Sequence, residues 1–338
     1  MPKKLQRRRV QDRSQLLRWG FQSAFLLLNI WVGVAFYLFV RHYETGGATV
    51  WVARPPGVEG WLPIASLMNL KVWLVTGQAP LVHPAGVFLL LAFLAISLVW
   101  RKAFCSWLCP VGTVSEWLWR AGRGIFRKNF QLPKWADIAL RSVKYILLGL
   151  FLYAVVTMSV PAIRAFLDGP YGIISDVKML NFFRFLGVTS AVTVGILAVL
   201  SIFVQNFWCR YLCPYGALLG LVARFSLTRI RRAPDVCIDC AKCAQACPAR
   251  LPVDKLIAIR SPECTGCLEC VAVCPGADAL WMSAGRRRRV PAWLMAAGIA
   301  AIFLGVAGYA QWAGHWRTEL PSQVYFDLIP RAHEFSHP

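Results

Sequence analysis

Two cysteine runs leave this chain few choices. "CIDCAKCAQACP" begins at Cys237 and "CTGCLECVAVCP" begins at Cys264. Both have the spacing C-x2-C-x2-C-x3-C-P. In that spacing three thiolates wrap one corner of an iron–sulfur cubane, and the fourth cysteine ligates the other cluster. The expected ligand sets are therefore Cys237, Cys240, Cys243 and Cys274 for one [4Fe–4S] cluster, and Cys264, Cys267, Cys270 and Cys247 for a second. The prolines turn the chain away from each fourth ligand. Zinc is the competing use of clustered cysteines, but it takes four tetrahedral ligands and often some histidine. Eight cysteines in two matched runs, with no histidine nearby, argue against it. All twelve cysteines sit in short regular motifs, which speaks for metal or redox chemistry in a reducing compartment rather than a disulfide framework. Two clusters this close in sequence make an electron wire. Nothing in the segment offers a substrate pocket or a general base, so it reads as a carrier module.

The rest of the chain is too apolar for an ordinary soluble protein. Of 338 residues, 57% are hydrophobic and only 16% charged, with fifteen tryptophans. That balance suits a multi-span membrane protein. Five apolar stretches, Phe21–Val40, His83–Trp100, Ser142–Val160, Leu186–Phe207 and Pro291–Trp312, each supply roughly the 20 residues a helical span needs. The first is too long for a secretory signal and no small-residue cleavage site follows, so it reads as an uncleaved span. The formal charge of +21 is explained by where it falls. The basic amino-terminal segment Met1–Arg18, the Arg101–Lys144 loop and the Arg224–Arg289 region, with "RRRR" at Arg286–Arg289, hold most of the Lys and Arg. Segments 41–82 and 161–185 are far less basic. Cytoplasmic loops carry such a surplus. The amino terminus and the ferredoxin segment are expected in the cytoplasm of a bacterial inner membrane and the carboxyl terminus in the periplasm. The same argument sets nucleic acid aside as a partner and makes the lipid bilayer one.

The expected fold is mainly α: about five transmembrane helices plus a small α+β two-cluster ferredoxin-like domain. The chain divides into a basic tail at 1–19, a four-helix membrane domain at 20–226, the ferredoxin-type domain at 227–284, a fifth span at 290–312 and an outer tail at 313–338.

Inside the membrane domain there is a repeat. "FCSWLCPVG" starts at Phe104 and "WCRYLCPYG" starts at Trp208, about a hundred residues later. Each ends a span and is preceded by an interrupted apolar stretch, "WLPIASLMNLKVWLVTG" (Trp61–Gly77) or "YGIISDVKMLNFF" (Tyr171–Phe183). These stretches read as re-entrant or interfacial half-helices. On a helix, positions i and i+4 share a face, so Cys105 with Cys109, and Cys209 with Cys213, each form a two-sulfur face. The two pairs supply four thiolates, enough for a further iron–sulfur centre. Alternatively each pair works as a dithiol/disulfide couple, or packs simply as small buried residues; the duplication favours a functional role.

Other polar groups are less telling. His42 and His83 lie near span ends, where interfacial histidines are common, and a haem would need two facing axial ligands. His315, His333 and His337 sit in the outer tail. Asp176, Lys178 and Lys71 are polar groups in apolar segments, which makes them candidates for holding a quinol head group or ordinary interfacial charges.

The cysteine–proline repeats and the paired ferredoxin runs together resemble the membrane-bound polyferredoxins, over roughly Phe21–Met282. These include the NapH-type proteins of nitrate respiration and the membrane portion of the NosR-type proteins of nitrous-oxide respiration. The resemblance implies electron movement between the quinol pool and a protein redox partner such as a periplasmic reductase or a cytochrome, or help in maturing a metalloenzyme. It implies quinone as a partner of the iron–sulfur centres, and an electron-transfer component or quinol dehydrogenase subunit rather than a free-standing enzyme. The fifth span with its outer tail departs from the family pattern, and the 41–82 loop is too short for the outer flavin domain of NosR-type proteins. A redox sensor ranks last, for want of an output domain.

Overall fold

The computed structural model describes residue 8, residues 12–285 and residues 288–337. Much of the basic tail, Arg286 and Arg287 of the arginine run, and Pro338 lie outside the described residues.

The chain is mostly helical. In order the helices are α1 (Ser14–Glu44), α2 (Pro63–Thr76), α3 (Pro84–Trp100), α4 (Phe104–Trp107), α5 (Pro110–Phe126), α6 (Lys134–Thr157), α7 (Val160–Leu167), α8 (Pro170–Ile173), α9 (Ser175–Arg184), α10 (Val188–Phe203), α11 (Pro214–Ala223), α12 (Lys242–Ala246), α13 (Glu269–Ala272), α14 (Ala292–Trp312) and α15 (Ser322–Leu328). Proline opens α2, α3, α5, α8 and α11. Its fixed φ is ready for the first helical turn, where a missing N–H costs nothing.

Helices α1, α6 and α14 are long and apolar enough to cross a membrane. Helices α9 and α10 meet that test only together, across an 81° bend. Helix α3 matches the expected stretch at His83–Trp100 but has 17 residues, about 25 Å at 1.5 Å per residue, somewhat short of a bilayer core. Three helices therefore meet the length and hydropathy of a span, or four with the bent pair. The stretch expected at Leu186–Phe207 is helical only over Val188–Phe203, and its carboxyl end opens into a π turn at Trp208–Leu212. The interrupted apolar segments are helical, as α2 and α8–α9.

The described chain forms two compact units: residues 1–26, 93–148 and 196–302, and residues 27–92, 149–195 and 303–338. The chain passes from one to the other inside α1, α3, α6, α10 and α14.

The first unit holds every cysteine. Three antiparallel strands, β1 (Thr228–Arg232), β2 (Leu280–Ala284) and β3 (Arg288–Arg289), pair in the order β1-β2-β3. β1 precedes the first cysteine run and β2 follows the second, with Thr228 opposite Ala284 and Arg232 opposite Leu280. The sheet thus clasps the two ends of the ferredoxin segment. Cations from both flanks are buried here. Arg18 makes two bonds to Glu116, Nη1 to Oε2 at 2.6 Å and Nη2 to Oε1 at 2.7 Å, and a third to Glu269 at 3.0 Å. Arg101 is buried and donates to the carbonyls of Ala223 and Ser261. Several of the cations expected in the basic connecting segments (Arg18, Arg101, Lys102, Lys144) are buried and partnered, as is Arg210 of the second repeat.

The second unit packs around Val32, Phe36, Phe39 and Val40 of α1, Ile174 and Val177 from α8–α9, and Tyr325 and Leu328 of α15. Beside this core Arg54 donates to Glu59 Oε1 at 2.6 Å and to Asp176 Oδ2 at 2.7 Å. Its Nη2 is 3.0 Å from His83 Nδ1, and His83 Nε2 lies 2.9 Å from the Gly172 carbonyl. Asp176 is thus committed to Arg54. Lys71 donates to the carbonyls of Val155, Val156 and Met158 at the end of α6, the cation placement a helix carboxyl terminus favours. Lys178 sits 6.0 Å over the Tyr171 ring. Of the histidines, His42 Nδ1 lies 2.7 Å from the Thr49 carbonyl and His315 stacks on Phe88.

Burial alone would push the Glu59 carboxyl up, but the Arg54 charge and His83 outweigh it and hold it at about 2. A carboxyl depressed on folding stabilises the fold above its unfolded pKa, and that contribution drains as pH falls toward the folded one. Here it amounts to about 3 kcal/mol at pH 7, lost between roughly pH 5 and pH 2. The melting temperature of detergent-solubilised protein, followed by tryptophan fluorescence, should fall as pH drops from 5 to 3. Glu59→Gln should melt lower at pH 7 and show a shallower acid slope.

Candidate metal centres

The two ferredoxin runs build the same loop twice. In the first, Asp239 and Ala241 take left-handed backbone conformations, with φ of 55° and 57°. In the second, Gly266 and Leu268 do so at the same offsets, with φ of 65° and 60°. Each loop then enters a single helical turn, α12 or α13, capped by a left-handed residue and carrying the third cysteine. Alternating right- and left-handed residues turn successive N–H groups toward one concavity, a nest suited to anionic clusters. Left-handed backbone at Ala and Leu carries a strain of order 1–3 kcal/mol per residue, which surrounding structure must hold. The cysteine spacing alone did not mark these loop-shaping residues.

The thiols gather in two sets. Cys243 and Cys274 each feel the charge of Cys237, and also of one another or of Cys240. Cys247, Cys264, Cys267 and Cys270 line one small pocket with Pro248, Leu251, Val253 and Leu268. Cys240 and Asp239 are exposed, whereas Cys243, Cys247, Cys264 and Cys270 are buried. The chain order of these sets crosses: Cys247 of the first run stands with the second, and Cys274 of the second with the first. Among the described residues no three Cys, His, Asp or Glu side chains already converge on one metal position. The donor sets nonetheless fit iron–sulfur clusters: four thiols each, two of the loops nest-shaped, and one cavity with an apolar wall. Burial pushes the Cys243 thiol up to about 11 and the Cys267 thiol up to about 12. Metal ligation reverses that, since a coordinating thiol is deprotonated outright, so cluster insertion releases protons.

The cysteine–proline repeats differ from the expected geometry in one respect. Cys105 and Cys109 do not ride one regular helix. Cys105 lies in the short turn α4, the helix breaks, and Cys109 (φ −62°, ψ 118°) is the N-cap of α5. In the second copy Cys209 lies in the π turn, and Cys213 (φ −75°, ψ 104°) caps α11. The cause is the proline that follows each cysteine, which pushes the preceding residue out of the α region. Each cap thiol accepts from the glycine two residues beyond the proline: Gly112 N at 3.5 Å from Cys109 Sγ, and Gly216 N at 3.2 Å from Cys213 Sγ. A thiol at a helix amino terminus sits where the dipole favours thiolate. The two pairs are neighbours, with Cys105 near enough to Cys109 and Cys213, and Cys209 to Cys213, Cys109 and Cys105, for their charges to interact, but among the described residues the four thiols do not converge on one metal position.

The two repeats bond to the two ferredoxin loops, the first repeat to the second cysteine run and the second repeat to the end of the first run. Ser106 Oγ, between the first pair, donates to the Thr265 carbonyl at 2.7 Å, and Trp107 Nε1 donates to the Gly266 carbonyl at 3.2 Å. Arg210, between the second pair, donates to the Pro248 carbonyl at 3.2 Å and is held by Asp137 at 2.8 Å. Thr265, Gly266 and Pro248 all flank ligands of the Cys247–Cys264–Cys267–Cys270 set. The spacing of the cysteines could not have revealed Ser106, Trp107 or Arg210, although all three lie inside the repeated motif.

The fold and its cysteine loops define a ferredoxin-type iron–sulfur protein with membrane spans. A family model described as a 4Fe-4S binding domain matches twice, at residues 82–133 and 186–233, one match on each repeat. A second, described as a 4Fe-4S dicluster domain, matches residues 229–275. The protein YccM of Escherichia coli strain K12, named for electron transport, is 49% identical over 95% of this chain and 91% of its own. The chain belongs to the family of YccM, the membrane-associated ferredoxin-type electron-transport proteins. Protein NirI of Paracoccus denitrificans is 28% identical over 67% of this chain, and the regulatory protein NosR of Stutzerimonas stutzeri is 32% identical over 61%. The chain spans only 33% and 29% of the length of those two. No solved structure matches it.

The two motif glycines are not equivalent. A Cβ on Gly112 would stand 2.3 Å from the Cys105 carbonyl oxygen, whereas one on Gly216 would have nothing nearer than 3.5 Å. Gly112→Ala should therefore distort the first cysteine turn and lower bound iron in purified protein. Gly216→Ala should leave iron near the wild-type value, measured side by side by colorimetric iron assay.

Proposed function

We propose that this protein is a membrane-bound relay that carries electrons between quinol and a protein redox partner through three iron–sulfur sites. Two sites are Cys237, Cys240, Cys243 with Cys274, and Cys264, Cys267, Cys270 with Cys247. The third is Cys105, Cys109, Cys209 and Cys213, shared between the repeats. Bound at these cysteines, [4Fe–4S] clusters supply one-electron transfer at potentials that the surrounding protein sets. The observation that carries the reading is the bonding of both cysteine–proline turns, through Ser106, Trp107 and Arg210, to the loops of one ferredoxin site. It orders the sites: the four-thiol site of the repeats, then the Cys264 site, then the Cys237 site, where Cys240 is exposed. The exposed end suits exchange with a soluble partner, and the repeat end suits exchange with a membrane quinol.

The same reading takes α1, α3, α6, α10 and α14 as five spans of a bacterial inner membrane. The Lys- and Arg-rich segments would lie on the cytoplasmic side with the ferredoxin domain at 227–284, and the outer tail at 313–338 in the periplasm. The membrane domain is then 20–226, and 290–312 the last span.

Anaerobically purified protein should hold about twelve irons per chain, and Cys105→Ser/Cys109→Ser about eight, with the ferredoxin signals retained in electron paramagnetic resonance. A reduced quinol analogue should bleach the wild-type clusters and fail with the variant. About eight irons in both proteins would remove the shared site. Quinol reduction that persists in Cys105→Ser/Cys209→Ser, while a partner enzyme accumulates without its metal, would favour a maturation role instead.

A further inference from the structure

Beside the cysteine turns lies a small buried ion cluster. Lys102 precedes Cys105 by three residues, and Glu263 immediately precedes Cys264. Glu263 Oε2 lies 3.6 Å from the Lys102 ammonium and 2.6 Å from that of Lys144, and Tyr145 donates to Oε1 at 2.7 Å. Lys102, Lys144 and Glu263 are all buried, at 4%, 0% and 8% exposure. Two ammoniums against one carboxylate leave one net positive charge. Burial would push the Lys102 ammonium down, but Glu263 and the nearby Cys105, Cys213 and Cys209 hold it up, so it stays charged. The three cysteines it faces come from both repeats.

A buried ammonium must be partnered, because a charge left buried and unmatched is strongly destabilising. Here the excess cation stands beside the first cysteine turn, whose Cys105 N–H bonds the Lys102 carbonyl at 3.2 Å, and near Cys209 and Cys213. A [4Fe–4S] centre held by four thiolates becomes more negative by one charge when it accepts an electron. A fixed ammonium at low dielectric stabilises that added charge.

We infer that Lys102 is the positioning charge that raises the reduction potential of the four-thiol centre. The inference rests on the proposed centre at Cys105, Cys109, Cys209 and Cys213. Lys102 touches no reacting atom; it acts through the field it casts on the thiolates. The effect should be local, so the exposed Cys237 site should not share it.

The test is a redox titration of purified full-length protein followed by electron paramagnetic resonance, with iron counted on each sample. Lys102→Met should retain its iron and make reduction of the four-thiol centre about tenfold less favourable, a fall of about 59 mV for one electron. The Cys237-site signal should stay in place. Lys102→Arg, which keeps the charge, should titrate as wild type. Twelve irons with an unmoved potential in Lys102→Met, or an equal fall in Lys102→Arg, overturns the role of Lys102 alone. About eight irons in the wild type overturns the centre on which it rests. Should Lys102→Met fail to assemble the centre, Glu263→Gln decides the matter. Removing the carboxylate unmasks the cation and should raise the four-thiol potential; an unchanged or lowered value overturns the inference.

Discussion

The bonds from Ser106, Trp107 and Arg210 to the Thr265, Gly266 and Pro248 carbonyls set the organisation of the cysteine-bearing unit. They tie two segments a hundred residues apart to the two loops of one ferredoxin site, alongside the Arg18–Glu269, Arg101–Ser261 and Lys144–Glu263 contacts.

Charge is used differently from what a count of Lys and Arg suggests. A basic surplus in connecting segments is what orientation in a bilayer requires, and residues such as Arg224 and Arg288 fit that purpose. Arg18, Lys102 and Arg210 do not sit in solvent. Each is buried and paired to a carboxylate, and each stands beside a cysteine loop. Glu269 lies between Cys267 and Cys270 and receives Arg18, while Glu263 precedes Cys264 and receives Lys102. Glu269 and Glu263 thus stand at the second cysteine run, whereas Asp137, which receives Arg210, lies on α6. A buried pair of this kind adds little net stability, but it fixes the local field around the thiols.

Much of the architecture was legible beforehand. Hydropathy located α3 and α14 to within a residue and the apolar bodies of α1 and α6, whose polar first turns begin earlier, at Ser14 and Lys134, because long apolar runs have few alternatives to helix. The interrupted segments at Trp61–Gly77 and Tyr171–Phe183 proved helical, as their mixed apolar character suggested. The π turn before Cys213 and the 81° bend between α9 and α10 were not legible, since both are settled by packing rather than by local propensity. The helical i, i+4 geometry expected of the cysteine pairs was wrong for a reason written in the motif itself. A proline after the cysteine excludes the α conformation at that cysteine, so the second thiol caps a new helix instead of continuing the old one.

The sequence by itself determined which residues can bind iron. Cysteine spacing is a covalent property, and C-x2-C-x2-C-x3-C-P holds whatever the rest of the chain does. It also determined the duplication of the cysteine–proline turn and the apolar character of the segments around it. Only the tertiary structure decided how these parts face one another: that both turns bond to loops of one ferredoxin site, and that Lys102 pairs with Glu263 beside the cysteine turns. Those relations depend on side chains meeting across a hundred or more residues of chain, where no periodicity or spacing constrains them and only close packing does.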